Sequence, residues 1–431
     1  MLLLVVVVGA SAYRMAPPTR RTVVASVYGD WQPVNGGSYV LEPPAPSKKV
    51  VHFIGGAFVG AASQLTYRYL LEKIADRGFV VIATPYRLSF DYVSVCDAID
   101  ASFHSAMSSL DEEAEEIIGI GHSCGALLHA LLSLRDEKRS RLAFISFNNK
   151  GVQDAVPLFD ELVVPLATEA MRDDDGSPAP LLRQALGAAR EVARGALDLA
   201  ESRDTPLARL ADQTPLTGLA DLARREVVPA ARQSLQLADQ LPDLLREVAD
   251  GARDFDPTPR AVRAMLRSDF KASDSLVIQF ENDDIDESDD LYAVLRDVSQ
   301  AAAKAAPPTE NDETPLPSVV NEDDEDDDDR DVFSEAATTE IEAEAPPPPP
   351  EEEAAVSPPP PPPRVELKTL AGTHLTPLTQ DIFLPASTVA RLAQADFADP
   401  ILSVPRDQWL GEVDALFDDL DAWLGSPSTS S

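Results

Sequence analysis

Ser123, the carboxylates between residues 281 and 287, and His374 are the groups of this chain whose types and order could do chemistry together. Ser123 is the centre of Gly121-His122-Ser123-Cys124-Gly125. An apolar run, Ile117-Ile118-Gly119-Ile120, precedes the motif, and Ala126-Leu127-Leu128-His129-Ala130-Leu131-Leu132 follows it. The pattern alone is weak, but strand, Gly-x-Ser-x-Gly and helix in that order predict a nucleophile elbow. There a serine sits on a tight, strained turn with its hydroxyl exposed, and the flanking glycines avoid collisions that a Cβ would make. A serine hydroxyl is a poor nucleophile at neutral pH and needs a base, usually a histidine oriented by a carboxylate. Behind an elbow the partners follow in the order acid, then histidine. Of His52, His104, His122, His129 and His374, only the last two follow the serine. His129 lies on the helix leaving the elbow and cannot reach back, so His374, in Gly372-Thr373-His374-Leu375-Thr376, is the candidate base.

The acid belongs after the strand that ends at Phe280. Glu281-Asn282-Asp283-Asp284-Ile285-Asp286-Glu287 offers several carboxylates, some of which suit the start of the following helix. Asp283 and Asp284 are the favoured alternatives, with Asp286 third. An acyl-transfer oxyanion also needs two N–H donors. One is the N–H of Cys124, the residue after the serine. The other is sought in Ile54-Gly55-Gly56-Ala57-Phe58, at Gly56 or Ala57. The Cys124 side chain is expected to point away from the cleft, so the thiol is not read as the nucleophile.

These groups need a frame. Ser38–Leu41, Lys49–Ile54, Phe79–Ala83, Leu142–Phe147, Ser275–Phe280 and Val365–Leu370 read as strands, in addition to the elbow strand. Helical spacing runs over 67–75, about 95–110, 289–303, near 387–395 and near 409–424. Continuous apolar strands alternating with helices predict an α/β architecture with a mostly parallel sheet covered on both faces. No strand reads between 151 and 266. Amphipathic patterns occur there instead, as in Leu181-Leu182-Leu186-Ala189-Val192 and Leu235-Leu237-Leu241-Leu244-Leu245. That block is read as a helical cap inserted above the elbow end of the sheet, the alternative being a structural insertion.

The chain has 431 residues, 44% of them hydrophobic, and a formal net charge of −37. The charge is uneven: Pro307 to Pro363 carries 19 Asp and Glu against one Arg. Acidity argues against binding nucleic acid or anionic membrane. With only Cys96 and Cys124 there is no disulfide framework and no cysteine-based metal site, and no metal or organic cofactor is indicated. The acidic run 322–329 and the proline runs 346–350 and 358–363 predict a disordered, stiffened tether. The proline runs also offer a site for a partner domain.

At the N-terminus, Leu2–Val8 is an apolar run too short to span a bilayer, and it ends in Gly9-Ala10-Ser11-Ala12-Tyr13. Arg14, Arg20 and Arg21 follow with no acid before Asp30. A signal peptide followed by a transit peptide is expected, as in the two-part plastid presequences of algae, with secretion as the alternative. The expected organisation is presequence 1–25, core 26–150, cap 151–266, core 267–303, disordered insertion 304–364, C-terminal core 365–425 and a tail 426–431.

His52-Phe53-Ile54-Gly55-Gly56-Ala57-Phe58-Val59-Gly60, Ala83-Thr84-Pro85-Tyr86, Gly121-His122-Ser123, Ile145-Ser146-Phe147-Asn148-Asn149-Lys150 and Gly372-Thr373-His374-Leu375-Thr376-Pro377-Leu378 together resemble the α/β-hydrolase-like proteins named domain of unknown function 1350, found in cyanobacteria, plants and algae. The resemblance covers roughly 30–160, 255–300 and 365–395. It implies an α/β-hydrolase fold and, in eukaryotes, frequently a plastid location, but no substrate. Two functions are expected of such a chain. One is a serine hydrolase of esters, thioesters or other acyl compounds, lipophilic if the apolar cap covers the site. The other is a non-catalytic binding or scaffold protein on the same fold.

Overall fold

The computed structural model describes residues 31–110, 113–135, 139–155, 160, 164–170, 191, 240, 242–305, 362–379 and 406–426. The expected presequence, most of the expected cap and of the acidic insertion, and the helix expected near 387–395 lie outside these residues.

Eight strands form one sheet: β1 (Gln32–Pro33), β2 (Tyr39–Leu41), β3 (Lys49–Ile54), β4 (Val80–Ala83), β5 (Glu116–His122), β6 (Arg141–Ile145), β7 (Asp274–Asn282) and β8 (Arg364–Thr373). Their order is β1-β2-β4-β3-β5-β6-β7-β8. β1 and β2 are antiparallel additions at one edge. From β4 to β8 every pairing is parallel. A parallel sheet needs helical crossovers, and among the described residues five crossover helices and one that follows the last strand cover its faces. They are α1 (Arg68–Asp76), α2 (Tyr92–Met107), α3 (Cys124–Ser133), α4 (Pro259–Asp269), α5 (Ser288–Ala305) and α6 (Arg406–Leu424).

Side chains alternate between faces along each strand. Ile118 and Ile120, Ala143 and Ile145, and Leu276, Ile278 and Phe280 point to one face, where α1 and α6 cover them with Leu70, Leu71, Leu416 and Leu420. Leu142, Phe144 and Val277 point to the other, against α2 to α5. Both faces are therefore apolar, which is why these strands read as unbroken hydrophobic runs.

Local chemistry sets the boundaries. α2 starts at Tyr92, earlier than its apolar spacing suggests, because the Asp91 carboxylate accepts the Ser94 N–H and caps the helix. β6 stops at Ile145 because Ser146 turns the chain at φ 48°. β8 runs on to Thr373, carried by its pairing with β7, with a register shift between Phe280 and Asn282. The tail of the expected cap, where Leu245 and Val248 pack on Val152 and Ala167, is tied to the loop after β4. Glu247 accepts from the Ser89 hydroxyl and the Phe90 N–H, and Gln240 accepts from the Leu88 N–H. Among the described residues no helix is long and apolar enough to cross a membrane.

Candidate active site

β5 delivers Ser123 at φ 56°, ψ −123°, a conformation that L residues rarely adopt. The surroundings enforce it. The Ser123 N–H donates to the Ile145 carbonyl at 2.9 Å. A Cβ on Gly121 would lie 2.5 Å from the Gly125 carbonyl oxygen, and one on Gly125 would lie 2.1 Å from that of Ile54. The two glycines of the motif are thus needed because the turn packs backbone directly on backbone.

His374 follows β8 and reaches the elbow. Its Nε2 lies 3.0 Å from Ser123 Oγ, and its Nδ1 lies 2.8 Å from Asp283 Oδ2. A carboxylate only accepts, so Nδ1 carries the proton and donates; Nε2 is then the lone pair that accepts from the serine hydroxyl. Asp283 uses its other oxygen to accept the Ile285 N–H. Burial raises the Asp283 carboxyl, but the hydrogen bond and charge of His374, the Ser146 hydroxyl and the Ile285 N–H together outweigh it and hold the group below its ordinary value. The Ser146 hydroxyl stands close to Asp283 without meeting hydrogen-bond geometry.

Asp284 stays outside this arrangement. Its side chain is exposed and its carbonyl accepts from Lys150 Nζ. Asp286 receives the Ser288 N–H, as a helix-start carboxylate does. Burial first, then the charge of Asp283, pushes its carboxyl up to about 6.

The loop after β3 bears on the candidate oxyanion donors. The Gly56 N–H is already committed, donating to the Tyr67 hydroxyl at 2.9 Å, which removes Gly56 from the two alternatives and leaves Ala57. The Ala57 carbonyl accepts the Val59 N–H at 2.7 Å across Phe58, which sits at φ 64°, ψ −56°. That is a γ-turn on a non-glycine residue, a strained shape that holds the Ala57 peptide in place. Among the described residues, neither the Ala57 nor the Cys124 N–H has a hydrogen-bond acceptor. The Cys124 side chain turns inward between Tyr86 and Tyr92, and burial pushes its thiol up to about 11. A thiol that seldom ionises is a poor nucleophile.

Two neighbours of the site were not evident in the sequence. The Tyr67 hydroxyl donates to His122 Nδ1 at 2.8 Å, and His122 Nε2–H donates to the His374 carbonyl at 3.0 Å. His122 stood in view as a variable position of the motif, but nothing in the sequence pairs it with Tyr67. The loop that carries His374 is also held from outside: Thr376 Oγ1 accepts the Thr373 N–H and donates to Glu412 of α6. Among the described residues, no group of three or more His, Cys, Asp or Glu side chains is placed to hold a metal ion.

Sheet order, elbow and loop positions define an α/β-hydrolase-like fold. The chain resembles the family described as a protein of unknown function, DUF1350, whose model matches residues 30–189. No curated protein matches the chain. Solved structures similar to it include a thioesterase domain from the curacin biosynthetic pathway, at 11% identity and a TM-score of 0.40, over 85% of this chain and 97% of that one. An enol-lactonase from Burkholderia xenovorans LB400 is similar at 13% identity and a TM-score of 0.33, covering 62% and 87%. An esterase from Exiguobacterium antarcticum is similar at 14% identity and a TM-score of 0.32, covering 62% and 87%.

Proposed function

We propose that the protein is a serine hydrolase that cleaves an ester, thioester or other acyl compound. The observation that carries this reading is the continuous chain Ser123 Oγ, His374, Asp283, with contacts of 3.0 and 2.8 Å. In the proposed triad Ser123 Oγ attacks the acyl carbon while His374 Nε2 takes its proton. Asp283 holds the ring in the tautomer that can do so and stabilises the imidazolium. The N–H groups of Cys124 and Ala57 receive the oxyanion. His374 then returns the proton to the leaving alcohol, thiol or amine. Water, deprotonated by the same nitrogen, attacks the acyl-serine, and His374 returns that proton to Ser123 Oγ as the acid is released. No bound ion or organic group is required by these steps.

The rim favours a lipophilic acyl group. Three large apolar side chains stand out as exposed among the described residues, and two of them, Ile285 and Leu375, each 42% exposed, lie within two residues of the proposed acid and base. The proposal includes a plastid location. That part rests on the sequence of residues 1–25, and import of a fusion carrying that segment into isolated plastids tests it.

The activity is tested by labelling the purified chain with a fluorophosphonate, which phosphonylates only an activated serine. Labelling is expected in the native protein and lost in Ser123→Ala and His374→Ala. A folded native protein that takes up no label would reject the hydrolase and favour the binding role.

A further inference from the structure

We propose that Tyr67 and His122 are positioning residues that hold the oxyanion loop and the base loop in one register around Ser123. This rests on the hydrolase reading above. The contacts form one directed line. The Gly56 N–H donates to Tyr67 Oη, Tyr67 O–H donates to His122 Nδ1, and His122 Nε2–H donates to the His374 carbonyl. Each end of the line is a backbone group with a fixed role: an amide can only donate and a carbonyl can only accept. His122 Nε2 therefore carries a proton, and because burial favours the neutral ring, Nδ1 is left as the acceptor of the Tyr67 hydroxyl. A charged His122 would put a second donor against the Tyr67 hydroxyl, which already has the Gly56 N–H pointing at it.

The placement makes this more than a satisfied core histidine. Gly56 directly precedes the proposed donor Ala57, and the carbonyl belongs to the proposed base itself. His122 is covalently next to the nucleophile, and its ring centroid is 4.8 Å from that of His374. A Cβ on Gly56 would stand 3.2 Å from both His122 Nδ1 and Ser123 Cβ, so loop, ring and nucleophile meet without spare room. Tyr67 and His122 are both buried, so water offers no easy replacement for a lost partner. Neither side chain touches the reacting atoms in the proposed mechanism. They act through the groups that do.

The variants separate the two halves of the line. Tyr67→Phe keeps the ring but frees the Gly56 N–H and the His122 tautomer. His122→Gln places an amide N–H near the Nε2 position and can still reach the His374 carbonyl. His122→Asn can meet Tyr67 but is too short for that carbonyl. The rate of fluorophosphonate labelling is measured on each full-length variant beside its thermal midpoint and the ¹⁵N shifts of His122. In the native protein His122 is expected neutral and protonated at Nε2. Tyr67→Phe and His122→Asn are expected to label roughly 10²-fold more slowly, the scale of an ångström of misplacement. His122→Gln is expected to stay within about tenfold of native, although both His122 variants lose similar stability. Native labelling rates in Tyr67→Phe and His122→Asn would overturn the positioning role and leave the hydrolase standing. Rates that follow the thermal midpoints alone, with His122→Gln no better than His122→Asn, would reduce the pair to a structural contact. A native protein that does not label at all would overturn both readings.

Discussion

At the scale of single residues, the proposed chemistry turns on which of several adjacent carboxylates meets His374. Asp283 does so at 2.8 Å, whereas Asp284 faces solvent. Asp283→Asn is therefore expected to slow phosphonylation of Ser123 by roughly 10³- to 10⁴-fold, because an amide can donate to the imidazole and select the wrong tautomer. Asp284→Asn is expected to remain within about twofold, as surface changes remote from such features do. Equal losses in the two variants would remove Asp283 from the proposed role. The serine and the histidine were legible because each had one chain-order solution: Ser123 closed a strand–turn–helix pattern, and His374 was the only histidine after it that was free of the elbow helix. The acid had no such solution. Asp283 and Asp284 differ only in the phase of the chain leaving β7, and a register shift between Phe280 and Asn282 sets that phase. A bulge of that kind depends on the neighbouring strand, so the local sequence does not show it. Tyr67 and His122 were hidden for the same reason, since 55 residues separate two atoms that touch.

At the scale of elements, the strands were the most readable part, since a parallel sheet apolar on both faces leaves long hydrophobic runs such as Lys49–Ile54 and Phe79–Ala83. What no run could show is that α6 contacts the loop that carries His374. α6 reaches that region through Glu412, which accepts from Thr376 at 3.0 Å, while Thr376 accepts the Thr373 N–H at 2.9 Å. Lys368 of β8 pairs with Asp419, and Lys73 of α1 pairs with Asp414, so the helix is fastened to both of its neighbours. Glu412→Ala is expected to cost about 1 kcal/mol of stability and to slow labelling more than that loss explains, because Thr376 then has no acceptor and the base loop loosens. Glu412→Gln, which keeps an acceptor oxygen, is expected to recover most of the rate. Urea melts and labelling time courses on the two variants check this, and a Gln variant as slow as the Ala variant would contradict the loop-holding role.

At the scale of the whole molecule, the interior holds histidines that the proposed chemistry does not use. His52 and His129 are fully buried, with ring centroids 5.0 Å apart, and His129 Nε2–H donates to the His52 carbonyl. Burial, and then the charge of Arg139, lowers His129 to about 3, while burial and the His129 ring lower His52. The unfolded chain binds these protons near pH ~6.5, so the neutral rings favour the fold fully only above that value. Their contribution falls as the pH drops from there toward about 3, where the folded His129 takes up its own proton. His129→Gln keeps a donor for the His52 carbonyl and removes one titration. Between pH 7.5 and 5.0 it is expected to lose about 2 kcal/mol less than the native protein. Urea melts at the two pH values measure the difference, and parallel losses would show that His129 does not govern the acid response. The contacts of α6 also have a consequence in time. Arg141, at the start of β6, donates to the Trp423 carbonyl and to Glu116 and Asp274, and Glu412 closes the base loop. A ribosome releases the N-terminal half first, so the elbow with its serine can assemble long before residues 406–424 exist. Nascent chains stalled short of that helix would carry Ser123 in a sheet where the loop of His374 is not yet held, so the proposed triad would come together late in synthesis.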